Sequence, residues 1–329
     1  MKKSLFYSIF FFVIVSLLVT SCKTSVNSQS IFLTVNNENV SGGYFLKRVV
    51  ANPSGDIAST IQLLEVELIV KQRAAADGVA PVIEQDIDGY LRNESQGTNA
   101  TITDAQFNKW LDEQLKNTGL SLKEYREVIG REIQRQRLTD ILSANIPTSM
   151  AQVHLWAIPF NSNSAALAAK IRIDNGTDFA IVANMIAGQT NGGDQGWLPL
   201  SVLPSALNTA ASTLEVGKCS DPVAYTQSNS SSSSGTTSYV LLLISEKSDS
   251  MSVTPSQLAV LKNNNLNNWL NLQLQSTTIT LHNRNGTPVN GLTGTLDNET
   301  LTWLNNQVKQ LLNNLPSTET TATPTTTGQ

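Results

Sequence analysis

The pattern of apolar residues changes near Ile146-Pro147-Thr148, and this change constrains the fold more than any other feature of the sequence. Before it, apolar residues recur at helical spacing, as at Ile61, Leu64 and Leu68. After it, short apolar runs, beginning with Val153–Phe160, alternate with glycine turns and short helical segments. The sequence therefore predicts a mainly helical block followed by an α+β domain.

Charged and metal-binding side chains are scarce. The 329 residues are 15% charged, carry a formal net charge of −4, and include only two histidines and two cysteines. No basic surface for nucleic acid is therefore expected. Ligands are too few for a zinc site, a disulfide framework or an iron–sulfur cluster. We expect no cofactor, no metal and no nucleic-acid partner.

The amino terminus has the features of an export signal. Two lysines precede an almost continuous apolar run from Leu5 to Val19, shorter than the roughly 20 residues that span a bilayer. We therefore expect residues 1–21 to be a signal peptide. The sequence VTSC at 19–22 resembles the lipobox of bacterial lipoproteins, which implies cleavage after Ser21 and lipidation of Cys22. An ordinary signal peptide or an uncleaved anchor are the alternatives.

The carboxyl terminus ends in a Thr-rich segment without large apolar residues, 317–329, which predicts a disordered tail or, alternatively, a segment that spans a cell wall. Before it, Thr300–Leu312 is amphipathic and predicts a helix. This helix would pack on the helical domain, pair with a partner or lie on a membrane. We favour packing, because Lys309 is its only basic residue.

The helical block extends over residues 31–147, after a linker at 22–30. It opens with a strand at Ile31–Val35, a polar turn at 36–39 and a helix whose N-cap is Ser41. Further helices are expected at Ile57–Ala76, Ile83–Leu91, around Phe107–Leu115 and at Leu122–Leu142. Arg131, Arg135 and Arg137 are expected on a solvated face of the last helix.

Three motifs follow one another in the second block: NGTDFAIVA at 175–183, GGDQGW at 192–197 and LEVGKCSDPV at 214–223. Each motif alone is weak, and the glycine pair lacks the Lys and Ser/Thr of a phosphate-binding loop. Together, and in this order, they resemble the parvulin family of peptidyl-prolyl isomerases. The resemblance implies a parvulin-like domain at residues 148–249.

The helical block is similar to the chaperone region of SurA- and PrsA-type foldases. Residues 254–274 resemble the helix that returns to that region and completes it. The resemblance implies an α+β fold in which a mainly helical chaperone domain, 31–147, is split around the parvulin-like domain. The first part of the C-terminal helices, 250–316, would complete the chaperone domain. With the lipobox, the chain resembles PrsA-like lipoproteins best.

The resemblance also implies where a proline-binding pocket would lie. Its apolar positions fall on Leu198, Leu203 and Leu207, although these leucines would equally suit a core. The two histidines of the parvulin core fall on Ala157 and Val240. The position at which parvulins have a Cys or Asp beside the pocket falls near Gln189.

The remaining histidines and the second cysteine do not fill these positions. His154 matches a more variable histidine at the start of the domain, and His282 lies outside the domain and is expected on the surface. Cys219 lies elsewhere in the third motif, so we do not assign it as a catalytic thiol. No catalytic residue is therefore assigned.

The resemblance implies an extracytoplasmic foldase, anchored by lipid to the bacterial cell membrane. It would bind unfolded or nascent exported polypeptides and assist cis/trans isomerisation of X–Pro bonds. Loss of the histidines leaves an alternative open: a catalytically inactive parvulin relative that acts as a holdase chaperone or an assembly lipoprotein. A structural lipoprotein that holds a single partner is a further class.

Overall fold

The computed structural model describes residues 30–52, 55–97, 101–188, 190–227, 236–289 and 296–314. The expected signal peptide 1–21, the lipidation site Cys22, all but the last residue of the linker 22–30 and the Thr-rich tail 317–329 lie outside these residues. Within the described part, no helix combines the length and apolar character that crossing a membrane requires.

The described residues form helices and two antiparallel sheets, which confirms the α+β class. The helices are α1 (Gly42–Ala51), α2 (Ile57–Arg73), α3 (Glu84–Gln96), α4 (Asp104–Thr118), α5 (Leu122–Leu142), α6 (Asn163–Asp174), α7 (Phe179–Ala187), α8 (Ser205–Thr213), α9 (Pro255–Leu274) and α10 (Asn298–Asn314). The strands are β1 (Ile31–Val35), β2 (Glu38–Ser41), β3 (Ser149–Phe160), β4 (Asp194–Leu198), β5 (Val223–Gln227), β6 (Thr236–Ser252) and β7 (Ile279–Leu281). Short 3₁₀ helices lie at Ala74–Asp77 and Leu200–Val202.

The first sheet joins the start of the described chain to a strand that follows α9. Its order is β2-β1-β7, and Leu33 and Val35 of β1 pair with Leu281 and Ile279 of β7. The Asn36 side chain adds a bond, because its Oδ1 accepts from the Thr278 N–H at 2.9 Å. Residues far apart in sequence therefore close one structural unit around the central segment.

One core lies beneath this sheet and is built from both sides of the central segment. Phe32 stacks on Phe45 with ring centroids 4.0 Å apart. The Trp269 indole N–H donates to Asp77 at 2.9 Å and so ties α9 to the 3₁₀ helix that follows α2. Leu304 of α10 is fully buried in the same core. This confirms that the last helix packs on the helical unit.

Local capping sets where these helices begin. Ser41 caps α1 as expected, because its Oγ accepts from the Tyr44 N–H at 3.3 Å. Thr103, Ser121 and Thr254 start α4, α5 and α9, each with a capping box in which a residue one turn later bonds back. The expected bounds Leu122–Leu142 agree with α5.

Arg131 does not lie on a solvated face, which corrects the expectation for α5. Its guanidinium is 13% exposed and bonds Glu67 at 3.2 Å. Glu67 also holds the buried Arg48 at 2.5 Å, and both arginines lie over the ring of Tyr44. The pattern could not reveal this, because the partners come from three helices distant in sequence.

The second sheet has the order β4-β3-β6-β5 and is antiparallel throughout. Successive side chains of β3 point to opposite faces of this sheet. Ile158 and Phe160 pack with α6 and α7 on one face. Val153 and Leu155 pack with Ala211 of α8 on the other. The long central pair β3–β6 therefore separates two small apolar clusters.

A buried pair of amides connects this sheet to α9. The Gln257 amide donates to the Trp197 carbonyl at 2.7 Å and to the Gln152 side chain at 3.1 Å. Gln152 in turn donates to the carbonyls of Met251 and Ser252. The chain therefore leaves the second sheet and enters the returning helix through a hydrogen-bonded junction.

Three local expectations differ from the structure. Glu38–Ser41 is a strand, so the expected turn is only Asn36-Asn37, the loop of a two-residue hairpin. GGDQGW leads directly into strand β4, because its Asp194 pairs with Trp156 of β3. His282 is buried rather than exposed. It follows β7 beside β1, where its backbone N–H donates to the Phe32 carbonyl.

Candidate functional site

The three leucines expected to hold a proline ring lie together on one face of the second sheet. Leu198 ends β4, Leu203 follows the 3₁₀ turn, and Leu207 lies in the first turns of α8. All three are half-buried and pack against one cluster that includes Leu155 and Leu242. The structure therefore brings the predicted residues together, on a surface that is continuous with a core.

The two expected histidine positions lie on this same face. Ala157 pairs with Leu242 across β3–β6, and Pro159 pairs with Val240, so Ala157 and Val240 are diagonal neighbours. Both belong to the leucine cluster. The face that carries the expected pocket residues is thus apolar at both of the expected histidine positions.

The first two motifs occur together because they touch. A Cβ on Gly192 would lie only 2.6 Å from the Ala180 Cβ. Any side chain at position 192 would therefore clash with α7, and only glycine fits there. Gly192 also has a φ of 68°, in the left-handed region that favours glycine. The Gly193 carbonyl then accepts from the Ala157 N–H at 2.8 Å. The glycine turn therefore positions β3 and also Leu198, which follows the turn at the end of β4.

The third motif is fastened along β6. The Gly217 N–H donates to Ile244, and the Ser220 N–H donates to Leu242, both at 2.8 Å. The buried Ser220 hydroxyl accepts from the Leu242 N–H at 2.9 Å. These bonds hold the segment before β5 against the edge of the leucine cluster.

His154 lies on the opposite face from the leucines. Its Nε2 is 2.8 Å from Asp194 Oδ1, and its ring stacks on Trp197 with centroids 5.5 Å apart. Asp194 also accepts from the Gly196 N–H, and this bond and His154 lower the pKa of its carboxyl. His154 therefore orders the β4 turn and does not reach the candidate pocket.

Cys219 and Gln189 add no reactive group to the face. Burial raises the pKa of the Cys219 thiol to about 11, so it is protonated at neutral pH. Gln189 lies outside the described residues. Among the residues that are described, no group of three His, Cys, Asp or Glu side chains is placed to hold a metal ion.

The cluster also contains apolar residues that motif matching alone did not select. Leu200, Leu214, Val223 and Tyr225 pack against it from the 3₁₀ turn, the third motif and β5. Alternation in β5, where Val223 and Tyr225 share a face, is the sequence signal that indicates two of them. The arrangement can bind an apolar ring and exclude water, and it offers hydrophobic contact rather than proton transfer.

Comparison with known proteins gives structural neighbours only. No protein-family model matches the chain, and no curated protein matches it. Among solved structures, the chain is similar to the peptidylprolyl isomerase PrsA of Bacillus anthracis, with a TM-score of 0.44, 16% identity and coverage of 69% of this chain and 98% of that one. It is similar to the foldase PrsA of Streptococcus pneumoniae, with a TM-score of 0.35, 15% identity and coverage of 73% and 90%.

A third neighbour is a structure from Campylobacter jejuni, reported for PEB4 and Cj1289 as SurA-like chaperones. Its TM-score is 0.30 at 15% identity, covering 76% of this chain and 98% of that one. The three neighbours named here are thus two PrsA proteins and one structure reported for SurA-like chaperones.

Proposed function

We propose that this chain is an extracytoplasmic foldase, held at the bacterial cell membrane by a lipidated Cys22, that binds unfolded segments of exported proteins. The observation that carries the proposal is the convergence of Leu198, Leu203 and Leu207 beside Ala157 and Val240 on one sheet face. A half-buried apolar face of this kind suits a proline ring within an extended segment, with little demand on neighbouring sequence.

Anchoring rests on the sequence VTSC at 19–22 after the apolar run. In lipoproteins the cysteine carries a diacylglyceryl group and an acylated amino terminus. Two or more acyl chains give stable attachment, whereas one gives only marginal binding. The binding faces would then be held near the point where exported chains emerge unfolded.

Assistance to X–Pro isomerisation is the catalytic part of the proposal. The barrier of about 20 kcal/mol arises from amide resonance, so no nucleophile and no metal is needed to lower it. In the twisted transition state the carbonyl oxygen is less polarised, and an apolar surface that excludes water favours that state. Leu203 and Leu207 would supply this surface.

A holdase without isomerase activity is the second candidate, and a specific observation favours it. By the sequence resemblance, the histidine positions of the parvulin core fall on Ala157 and Val240. Both residues pack in the leucine cluster, and this packing would replace a polar array beneath the pocket. The face would then retain proline-containing segments without accelerating their rotation.

A proline-peptide isomerisation assay distinguishes the two candidates. If the chain is an isomerase, the catalysed rate should fall in the variants Leu203→Ala and Leu207→Ala. The control is Leu167→Ala, which should leave the rate unchanged because Leu167 is exposed on α6. A rate equal to background in the folded wild-type protein rejects the isomerase and leaves the holdase. Failure to bind any proline-containing peptide or unfolded protein rejects both.

A further inference from the structure

A groove lies on the surface of the helical unit. The residues that line it precede the parvulin-like motifs in the sequence. Its first part is a concavity of about 690 Å³ whose wall includes all four residues of β2 and, opposite them, Gly130 of α5. A second concavity of about 580 Å³ shares Val82, Glu127 and Gly130 with the first. The two concavities therefore adjoin at these residues, and together they are called the groove.

The outer edge of β2 borders this groove. β2 is the edge strand of the first sheet, because β1 lies on its other side. The hairpin closes with Val35 paired to Glu38, and Thr34 pairs with Asn39. Since paired residues alternate between bonded and non-bonded sites, the N–H and C=O of Asn39 point away from β1, toward the groove.

Apart from Lys123 in the second concavity, the charged residues that line the groove are paired within the described chain. Lys71 binds Glu38 at 2.5 Å, and Arg131 binds Glu67 at 3.2 Å while its other nitrogen lies 3.9 Å from Glu127. In the second part, Arg126 pairs with Glu84 and Asp88. Apolar side chains that reach the surface, among them Pro81, Val82 and Leu122, line the space beside these pairs. The first concavity, which borders β2, therefore suits an uncharged ligand.

We propose that an extended, uncharged segment of an unfolded polypeptide binds here as an added strand on the edge of β2. The backbone of Asn39 would bond the backbone of the segment, and alternate side chains would enter the apolar groove beside Gly130. Main-chain recognition makes the site tolerant of sequence. The inference rests on the proposed function and assigns a second client site, separate from the leucine face.

The test uses the full chain and a fluorescent, end-capped peptide in which seven Thr and Val residues alternate. Asn39→Pro removes the outward N–H at an edge position where proline is tolerated. Asn39→Ala keeps that N–H and is the matched control. We expect binding about fivefold weaker in Asn39→Pro, the factor for one hydrogen bond, and unchanged in Asn39→Ala.

A second pair of variants tests the groove itself. A Cβ at Gly130 meets only Ile87, at 3.6 Å, so Gly130→Ala is accommodated and Gly130→Phe fills the groove. We expect binding to be unchanged in Gly130→Ala and at least tenfold weaker in Gly130→Phe. Thermal unfolding of each variant establishes that it is folded. A peptide N-methylated at alternate residues should bind the wild type weakly.

The outcomes separate this inference from the proposed function. Wild-type affinity in folded Asn39→Pro and Gly130→Phe, or equal binding of the N-methylated peptide, overturns strand addition while client binding elsewhere survives. A dimer that dissociates in these variants shows that a second copy occupies the edge and also overturns it. If the wild type neither binds the peptide nor suppresses aggregation, the proposed function itself fails.

Discussion

Gln152 and Gln257 face each other at the junction between the second sheet and α9, with the Gln257 Nε2 3.1 Å from the Gln152 Oε1. Both residues are buried, and Gln257 Oε1 also accepts from the Thr254 N–H at 2.9 Å. The amide of Gln257 therefore serves two structures at once: it caps its own helix and binds the sheet that the helix leaves.

Gln257→Leu should destabilise the protein by about 2 kcal/mol, because it leaves the Gln152 amide and the Trp197 carbonyl buried without this partner. Urea denaturation measures the change. Gln275→Leu, at the exposed end of the same helix, is the control and should change stability by less than about 0.5 kcal/mol. Equal effects of the two substitutions would show that the junction adds no stability.

Glu67→Ala should be among the most destabilising substitutions in the helical unit. It leaves Arg48 and Arg131 buried without their shared carboxylate, which predicts a loss of about 3–5 kcal/mol in unfolding free energy. Glu113→Ala removes an exposed pair with Lys109 and should cost less than about 0.5 kcal/mol. A loss below about 1 kcal/mol for Glu67→Ala would contradict the described network.

Glu65 makes stability depend on pH. Burial raises the pKa of its carboxyl from 4.5 to about 7. Between these values the folded state keeps a proton that the unfolded chain loses, so stability falls as pH rises and the loss is complete above about pH 7. Glu65→Gln should therefore gain about 1–2 kcal/mol relative to wild type at pH 8, after allowance for partial exposure, and nothing near pH 4.5.

Chemical denaturation at the two pH values measures this difference. Glu113→Gln serves as the control, because Glu113 is exposed and its substitution should give the same small effect at both. A Glu65→Gln variant with no gain at pH 8 would mean that this carboxyl is ionised at little cost in the folded protein.

The proposed isomerase function predicts a higher catalysed rate when histidines are introduced at the two expected positions. Ala157 and Val240 are diagonal neighbours beneath the leucines, so the double substitution Ala157→His with Val240→His rebuilds the pair. We expect the catalysed rate of the double variant to exceed that of wild type by about tenfold, which corresponds to about 1.4 kcal/mol in the barrier. Each single variant should stay near wild type.

The assay is a proline-peptide isomerisation measured beside near-ultraviolet circular dichroism, which reports whether the tertiary fold is kept. A double variant that remains folded with an unchanged rate would show that the apolar face, rather than the absence of histidine, limits activity.

Much of the fold could be predicted because its signals are local. Helical spacing predicts α5 at Leu122–Leu142, and the resemblance, counted from the turn at 196–197, gives Leu198, Leu203 and Leu207, which lie on one face. These signals depend on residues that lie within one or two turns of each other, so periodicity and motif spacing contain them.

The rest could not be predicted because it depends on partners distant in sequence. Arg131 has the polar character of a solvated helix face, yet Glu67 and Tyr44 bury it. His282 becomes buried only because β7 pairs with β1. β2 is too short for alternation to indicate a strand, and its edge became visible as a groove wall only in three dimensions.

The most direct test of the account is suppression of aggregation. Several unrelated proteins are unfolded in denaturant and diluted into buffer with and without the full chain, and light scattering is followed. We expect the chain to lower scattering for most of them at comparable molar ratios, because the proposed binding faces are apolar and tolerant of sequence. Undiminished scattering for every one of them would contradict it.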